Sequence, residues 1–151
     1  MTENKISSNP GDKLVLIVDD DDAVRELLAF IVLKEGFKAE KVSDGEQALK
    51  KARELMPDLM LLDLMLPRCG GFEILRQLQT GGTSAIPIIM ITGRYMDHST
   101  SEMIRRESNV VDYLEKPVNP AVLSALLHKT LKTCPPRPNT PEAKEGGQQC
   151  L

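Results

Sequence analysis

The 151 residues, 41% hydrophobic and 27% charged, suffice for one domain with its own hydrophobic core, without a stabilising metal or disulfide. A formal net charge of -3 excludes a basic excess that would draw the chain to nucleic acid or an acidic membrane, and no apolar run approaches the ~20 residues of a membrane span. Residues 1–11 are polar, and Cys69, Cys134 and Cys150 show neither a CxxC pair nor zinc-ligand spacing, so they read as reduced thiols of a cytoplasmic protein.

In chain order, residues 1–12 are expected to be flexible, and the apolar run 14–18 reads as a first strand. Asp19, Asp20, Asp21 and Asp22 follow it directly, and then Val24, Leu27, Leu28 and Ile31 recur at the spacing of a helix with one buried face. A second strand over 37–42 is mixed in character and is expected at a sheet edge. Asp44, with Gln47 three residues on, resembles a capping box opening a helix whose apolar face is Ala48, Ala52 and Leu55. The third strand, 59–62, runs into Asp63, and Ile74, Leu75 and Leu78 mark a third helix. Thr92 closes a fourth strand over 86–91, while the helix around 99–107, with only Met103 and Ile104 apolar, is the weakest. Residues 110–114 supply a fifth strand ahead of Lys116. Asn119 and Pro120 look like the N-cap and first position of a last helix, which carries Leu123, Leu126, Leu127 and Leu131 and ends near Thr133. Residues 134–151, rich in proline, glycine and glutamine, cannot build a core and read as a disordered tail or as a linker to an output domain absent from this chain. Alternating strands and helices predict an α/β fold: one doubly wound, five-stranded parallel sheet with helices on both faces.

A carboxylate inside an apolar run must reach water at a strand end or hold a costly buried charge, so Asp63 demands an explanation beyond a turn aspartate. In a parallel sheet the C-terminal strand ends share one edge, where ligands sit. That edge would unite Asp19 and Asp20 with Asp63 in an acidic cluster suited to a hard divalent ion, Mg²⁺, while one or two of the four neighbouring aspartates need only cap the helix. Thr92 and Lys116 end further strands and could add a hydroxyl and an ammonium for phosphoryl oxygens. His98 and His128 have no carboxylate or cysteine partners at ligand spacing and read as surface residues.

The stretches Ile17-Val18-Asp19-Asp20, Leu62-Asp63-Leu64-Met65-Leu66-Pro67, Ile91-Thr92-Gly93 and Tyr113-Leu114-Glu115-Lys116-Pro117 resemble, in order, the motif set of CheY-like response-regulator receiver domains of two-component signalling. The resemblance spans 13–133 and implies a flavodoxin-like sheet of order 2-1-3-4-5. It implies that Asp63 is the nucleophile, taking a phosphoryl group from a phosphohistidine on a sensor histidine kinase or histidine phosphotransfer protein. Asp20, Asp63 and the backbone carbonyl of Met65 would ligate Mg²⁺, with Asp19 acting through water, and Lys116 and Thr92 would grip phosphoryl oxygens. A cis Lys116–Pro117 bond would aim the lysine. Thr92 and Tyr113 would form the switch pair, altering the face made by the weak helix, the fifth strand and the last helix toward a downstream protein, with dimerisation on phosphorylation left open. Such a chain assists its own phosphorylation and dephosphorylation and is otherwise not an enzyme. The segment between Thr92 and Lys116 is longer than in the family, which puts the readout face in question. Met65 and Arg94 flank the path of an attacking water, so slow self-hydrolysis is expected.

Two other readings compete. A receiver-like adaptor would bind partners without phosphorylation, against which the complete acidic cluster argues. A hydrolase with an aspartate nucleophile would need a second aspartate where Met65 stands.

Overall fold

Strand-forming runs and capping residues divide the chain into alternating elements, seen in a computed structural model that describes residues 9–66, 70–93, 99, 102, 103, 106 and 109–134. Five strands, β1 (Leu14–Val18), β2 (Lys38–Val42), β3 (Leu59–Asp63), β4 (Ile88–Thr92) and β5 (Val110–Glu115), form a parallel sheet of order β2-β1-β3-β4-β5. Four described helices flank it: α1 (Asp22–Lys34), α2 (Gly45–Leu55), α3 (Gly71–Leu78) and α4 (Pro120–Leu131). Every residue of β3 and β4 is buried, as unbroken apolar runs at the centre of a two-sided sheet should be. The polar β2 lies at an edge, where the charges of Lys38, Glu40 and Lys41 discourage further strand pairing.

Alternation along the strands sends side chains to two cores. Leu16, Val18, Met60, Leu62, Ile88 and Met90 pack with Ala48, Leu49, Ala52, Ile74, Leu75 and Leu78 of α2 and α3. Val15, Ile17, Leu59, Leu61, Ile89 and Ile91 meet Leu28, Ile31, Val32, Leu123, Leu127 and Leu131 of α1 and α4 on the other face. Among the described residues no helix is long and apolar enough to cross a membrane.

The caps hold as expected. Asp44 accepts from Gln47 N at 2.8 Å, and Asn119 Oδ1 accepts from Ala121 N and Val122 N at 2.9 and 3.3 Å, with Pro120 opening α4. Gly36, at φ 98, makes the left-handed turn from α1 into Phe37, which enters the core one residue before β2 begins. The fourth strand starts at Ile88 rather than 86, because Ile86 N–H closes a 3-10 turn onto Thr83 O and Pro87 has no N–H for the ladder.

Several expectations are corrected. Leu27 is 42% exposed, and the buried stripe of α1 is Leu28, Ala29, Ile31 and Val32. The run 27–33 is apolar almost all round, so its period alone could not orient the helix. Leu55, at the end of α2, is likewise exposed. Cys134 is disulfide-bonded, so the expectation of reduced thiols fails there; pairing depends on Cα proximity, which sequence spacing does not report. Cys69, Cys150, His98, Arg94, most of the helix expected over 99–107 and the proline-rich tail from 135 lie outside the described residues.

His128 is not a surface residue. It is 7% exposed, with Nδ1 2.6 Å from Thr133 Oγ1, Nε2 2.8 Å from Glu35 Oε1, and its ring 5.0 Å from that of Phe37. A carboxylate only accepts, so Nε2 carries a proton and donates it to Glu35, tying the end of α4 to the C-cap of α1. Replacing His128 with alanine would strip partners from Glu35 and Thr133 and leave a void. The expected loss is about 2–4 kcal/mol of unfolding free energy, read as a lower urea midpoint at unchanged slope.

Candidate functional site

Parallel register sets the site. Val18 pairs with Leu62, Asp63 with Ile91 and Thr92 with Glu115, so the residues that end β1, β3, β4 and β5 stand along one sheet edge. Ligand oxygens of Asp19, Asp20 and Asp63 lie within 4.8 Å of one another.

The surroundings of each carboxylate differ. Asp19 is 0% exposed, and its Oδ1 accepts from Asp21 N at 2.9 Å. Its buried Oδ2 has no aligned hydrogen bond among the described residues and faces the charge of Lys116, whose Nζ is 3.0 Å away. Asp63, 2% exposed, accepts from Met65 N through Oδ1 at 3.0 Å and has Lys116 Nζ 3.5 Å from Oδ2. Asp20 is exposed at the rim. The other two aspartates serve α1: Asp21 caps it, accepting from Ala23 N and Val24 N, and Asp22 pairs with Arg25.

Burial pushes the Asp63 carboxyl above the ordinary 3.8, with the Asp19 charge adding to it, despite the opposing Met65 amide and Lys116 ammonium. For Lys116, burial works against the ammonium, but the neighbouring carboxylates of Asp19 and Asp63 prevail, and its pKa lies above the ordinary 10.5. Among the described residues the Lys116 ammonium pairs with Asp19 and Asp63, and the Asp20 carboxylate beside them adds negative charge around a buried carboxylate oxygen. Hard oxygen donors in that state fit a divalent cation such as Mg²⁺.

Thr92 and Met65 also reach this edge, while Tyr113 pairs with Met90 inside the sheet. Thr92, buried, ends β4, and its carbonyl accepts from Lys116 N at 2.7 Å. The Lys116–Pro117 peptide bond is cis. Met65 is exposed beside Asp63, and Tyr113 is half-buried on β5 against the core that holds Met90. Arg25 was not singled out by any motif, yet it donates to the carbonyl of Asp19 at 2.7 Å. Its only sequence signal is an arginine three residues after the last of the acidic run. A shallow groove of about 570 Å³ between α1 and α4, lined by Lys34, Glu35, Ser124 and His128 among others, shares no residue with the acidic cluster.

Residues 15–128 match the family described as the response regulator receiver domain. The chain is 39% identical over 118 residues to the DNA-binding response regulator MtrA of Mycolicibacterium smegmatis, a match covering 78% of this chain and 50% of that protein. It thus spans about half the length of the curated relatives it matches. Among solved structures, a CheY-like response regulator receiver domain protein from Methanospirillum hungatei is similar, with TM-score 0.72 and 30% identity over 79% of this chain and 93% of that one. The chemotaxis protein CheY4 of Vibrio cholerae has TM-score 0.72 and 27% identity, covering 79% of this chain and 98% of its own.

Proposed function

Since this chain belongs to the response regulator receiver family of two-component signalling, we propose that it is a switch in which Asp63 accepts a phosphoryl group in the presence of Mg²⁺. The observation that carries this reading is the meeting of Asp19, Asp20 and Asp63 at one sheet edge, with Lys116 paired to Asp19 and Asp63 and Asp63 almost wholly buried.

In the proposed reaction, an oxygen of the Asp63 carboxylate attacks the phosphorus of a phosphohistidine on a sensor histidine kinase or histidine phosphotransfer protein. An O–P bond forms as the N–P bond breaks, the electron pair returns to the imidazole nitrogen, and Asp63 becomes an acyl phosphate. The Met65 amide holds the carboxylate in place, and Lys116 favours its ionised, nucleophilic form. Asp20, Asp63 and the Met65 carbonyl would hold Mg²⁺, with Asp19 acting through water, and the ion would neutralise charge building on the transferring oxygens. Lys116 and the Thr92 hydroxyl would donate to the remaining phosphoryl oxygens. Thr92 drawn toward the new group would free space for Tyr113, and the resulting population shift on the β5 and α4 face would be read by a partner protein. In this reading 13–133 is the receiver, flanked by the ends 1–12 and 134–151, and the chain itself makes no contact with nucleic acid. An output such as the DNA binding of the relative MtrA would reside in the length this chain does not span.

The test is beryllofluoride, a phosphoryl mimic, added with Mg²⁺ while amide exchange is followed. Slower exchange at 63–66 and changed exchange across β5 and α4 are expected; no response would favour the adaptor reading. Lys116→Met should slow phosphorylation by small phosphodonors roughly a hundredfold, the usual cost of losing one charge-stabilising donor, in a label-incorporation time course.

A further inference from the structure

Arg25 is 15% exposed in its side chain, an unusual burial for an arginine that begins a surface helix. Nη1 donates to the backbone carbonyl of Asp19 at 2.7 Å, and Nη2 to the carboxylate of Asp22. One planar guanidinium thus spans the acidic loop from the end of β1 to the start of α1, with Asp20 between its two anchors. Inside the span, Asp21 N–H donates to Asp19 Oδ1 and the Asp21 carboxylate caps α1, so the loop is tied at each residue on either side of Asp20.

The loop needs such ties. The Asp19 and Asp20 carboxylates face that of Asp63 within 4.8 Å, and the Lys116 ammonium pairs with Asp19 and Asp63. Mutual repulsion would drive the exposed Asp20 outward and widen the cluster unless the backbone were held. We propose that Arg25 is a positioning residue for the divalent-cation site: its fork braces the 19–22 loop so that the carboxylates of Asp19 and Asp20 stay directed at Asp63. This rests on the reading of that cluster as a Mg²⁺ site. Lysine would not substitute, because a single ammonium lacks the rigid pair of N–H directions that reach a carbonyl and a carboxylate together.

The charge of Arg25 and its geometry act in opposite directions on cation binding, which makes the role separable. A guanidinium near a cation site weakens binding by repulsion, whereas a brace strengthens it by holding ligands in place. Dissociation constants for Mg²⁺ and Mn²⁺ would be measured by calorimetry on the full chain, with amide exchange over 19–24 and urea unfolding alongside. Arg25→Gln is expected to weaken both ions by about tenfold, the usual scale for losing a residue that orients metal ligands, and to speed exchange of the 20–22 amides while unfolding stays cooperative. Arg25→Lys, which keeps the charge but not the fork, should also weaken binding and speed the same amides. Unchanged or tighter binding in Arg25→Gln would overturn the proposal. Should that variant not fold, unchanged affinity in Arg25→Lys would do the same. A natural chain that binds neither ion would overturn the cation site itself, and the brace with it.

Discussion

Asparagine in place of Asp63 is expected to abolish Mg²⁺-dependent labelling by acetyl phosphate, by roughly a thousandfold or more, as losing a nucleophile outright usually does. The amide has nearly the shape of the carboxylate and fits the same buried position at the end of β3, but it offers no anionic oxygen to attack phosphorus. The measurement is the mass of the intact chain after brief exposure to the donor, with and without Mg²⁺. Label surviving in the variant would place the acceptor elsewhere, most simply on Asp19 or Asp20 within the same cluster, and would end the role proposed for Asp63.

The same substitution should make the metal-free protein more stable at neutral pH, the opposite of what most changes at a buried position do. Burial and the Asp19 charge raise the pKa of Asp63 in the folded chain above the ordinary 3.8, so the unfolded chain releases this proton first. As pH rises from 3.8 through the folded value, the native state holds more protons than the unfolded state, and stability falls. Below 3.8 both states are protonated and the penalty vanishes. The asparagine side chain cannot ionise, so the advantage of Asp63→Asn should be full at neutral pH and fade in acid, as urea unfolding across that range would show. Lys116 does not blur the window: its raised pKa gives a contribution complete below 10.5 and lost only in more alkaline solution. Added Mg²⁺ should reverse the order, since ion binding stabilises the natural chain by about 2.7 kcal/mol at a hundredfold excess over Kd and the variant by less. A natural chain that remains the less stable of the two in saturating Mg²⁺ would show that these carboxylates do not share an ion.

Much of this architecture is local chemistry and was legible. The unbroken runs that became β1, β3 and β4, the aspartate cap of α2 and the Asn119–Pro120 start of α4 depend on neighbours a few residues away. So does the placement of Asp19, Asp20, Asp63, Thr92 and Lys116 at or just beyond strand ends, because a strand stops where its apolar pattern stops. Given a parallel sheet, those ends share an edge whatever the details of packing, so chain order alone brings these residues to one candidate site.

What escaped depended on contacts between distant elements. His128 and Glu35 are 93 positions apart and meet because α1 and α4 cover the same sheet face. The rotation of α1, which exposes Leu27 and buries Ala29, was set by the sheet beneath a helix apolar on nearly every side. Arg25 is the local exception: it lies only six positions from Asp19, but no motif indicates that its guanidinium turns back to that carbonyl. Sequence by itself determined which residues could carry charge, cap a helix or end a strand, since those properties act over one turn or less. Only the tertiary structure decided which of them are desolvated and paired, because burial and electrostatic strength follow distances that chain order does not encode.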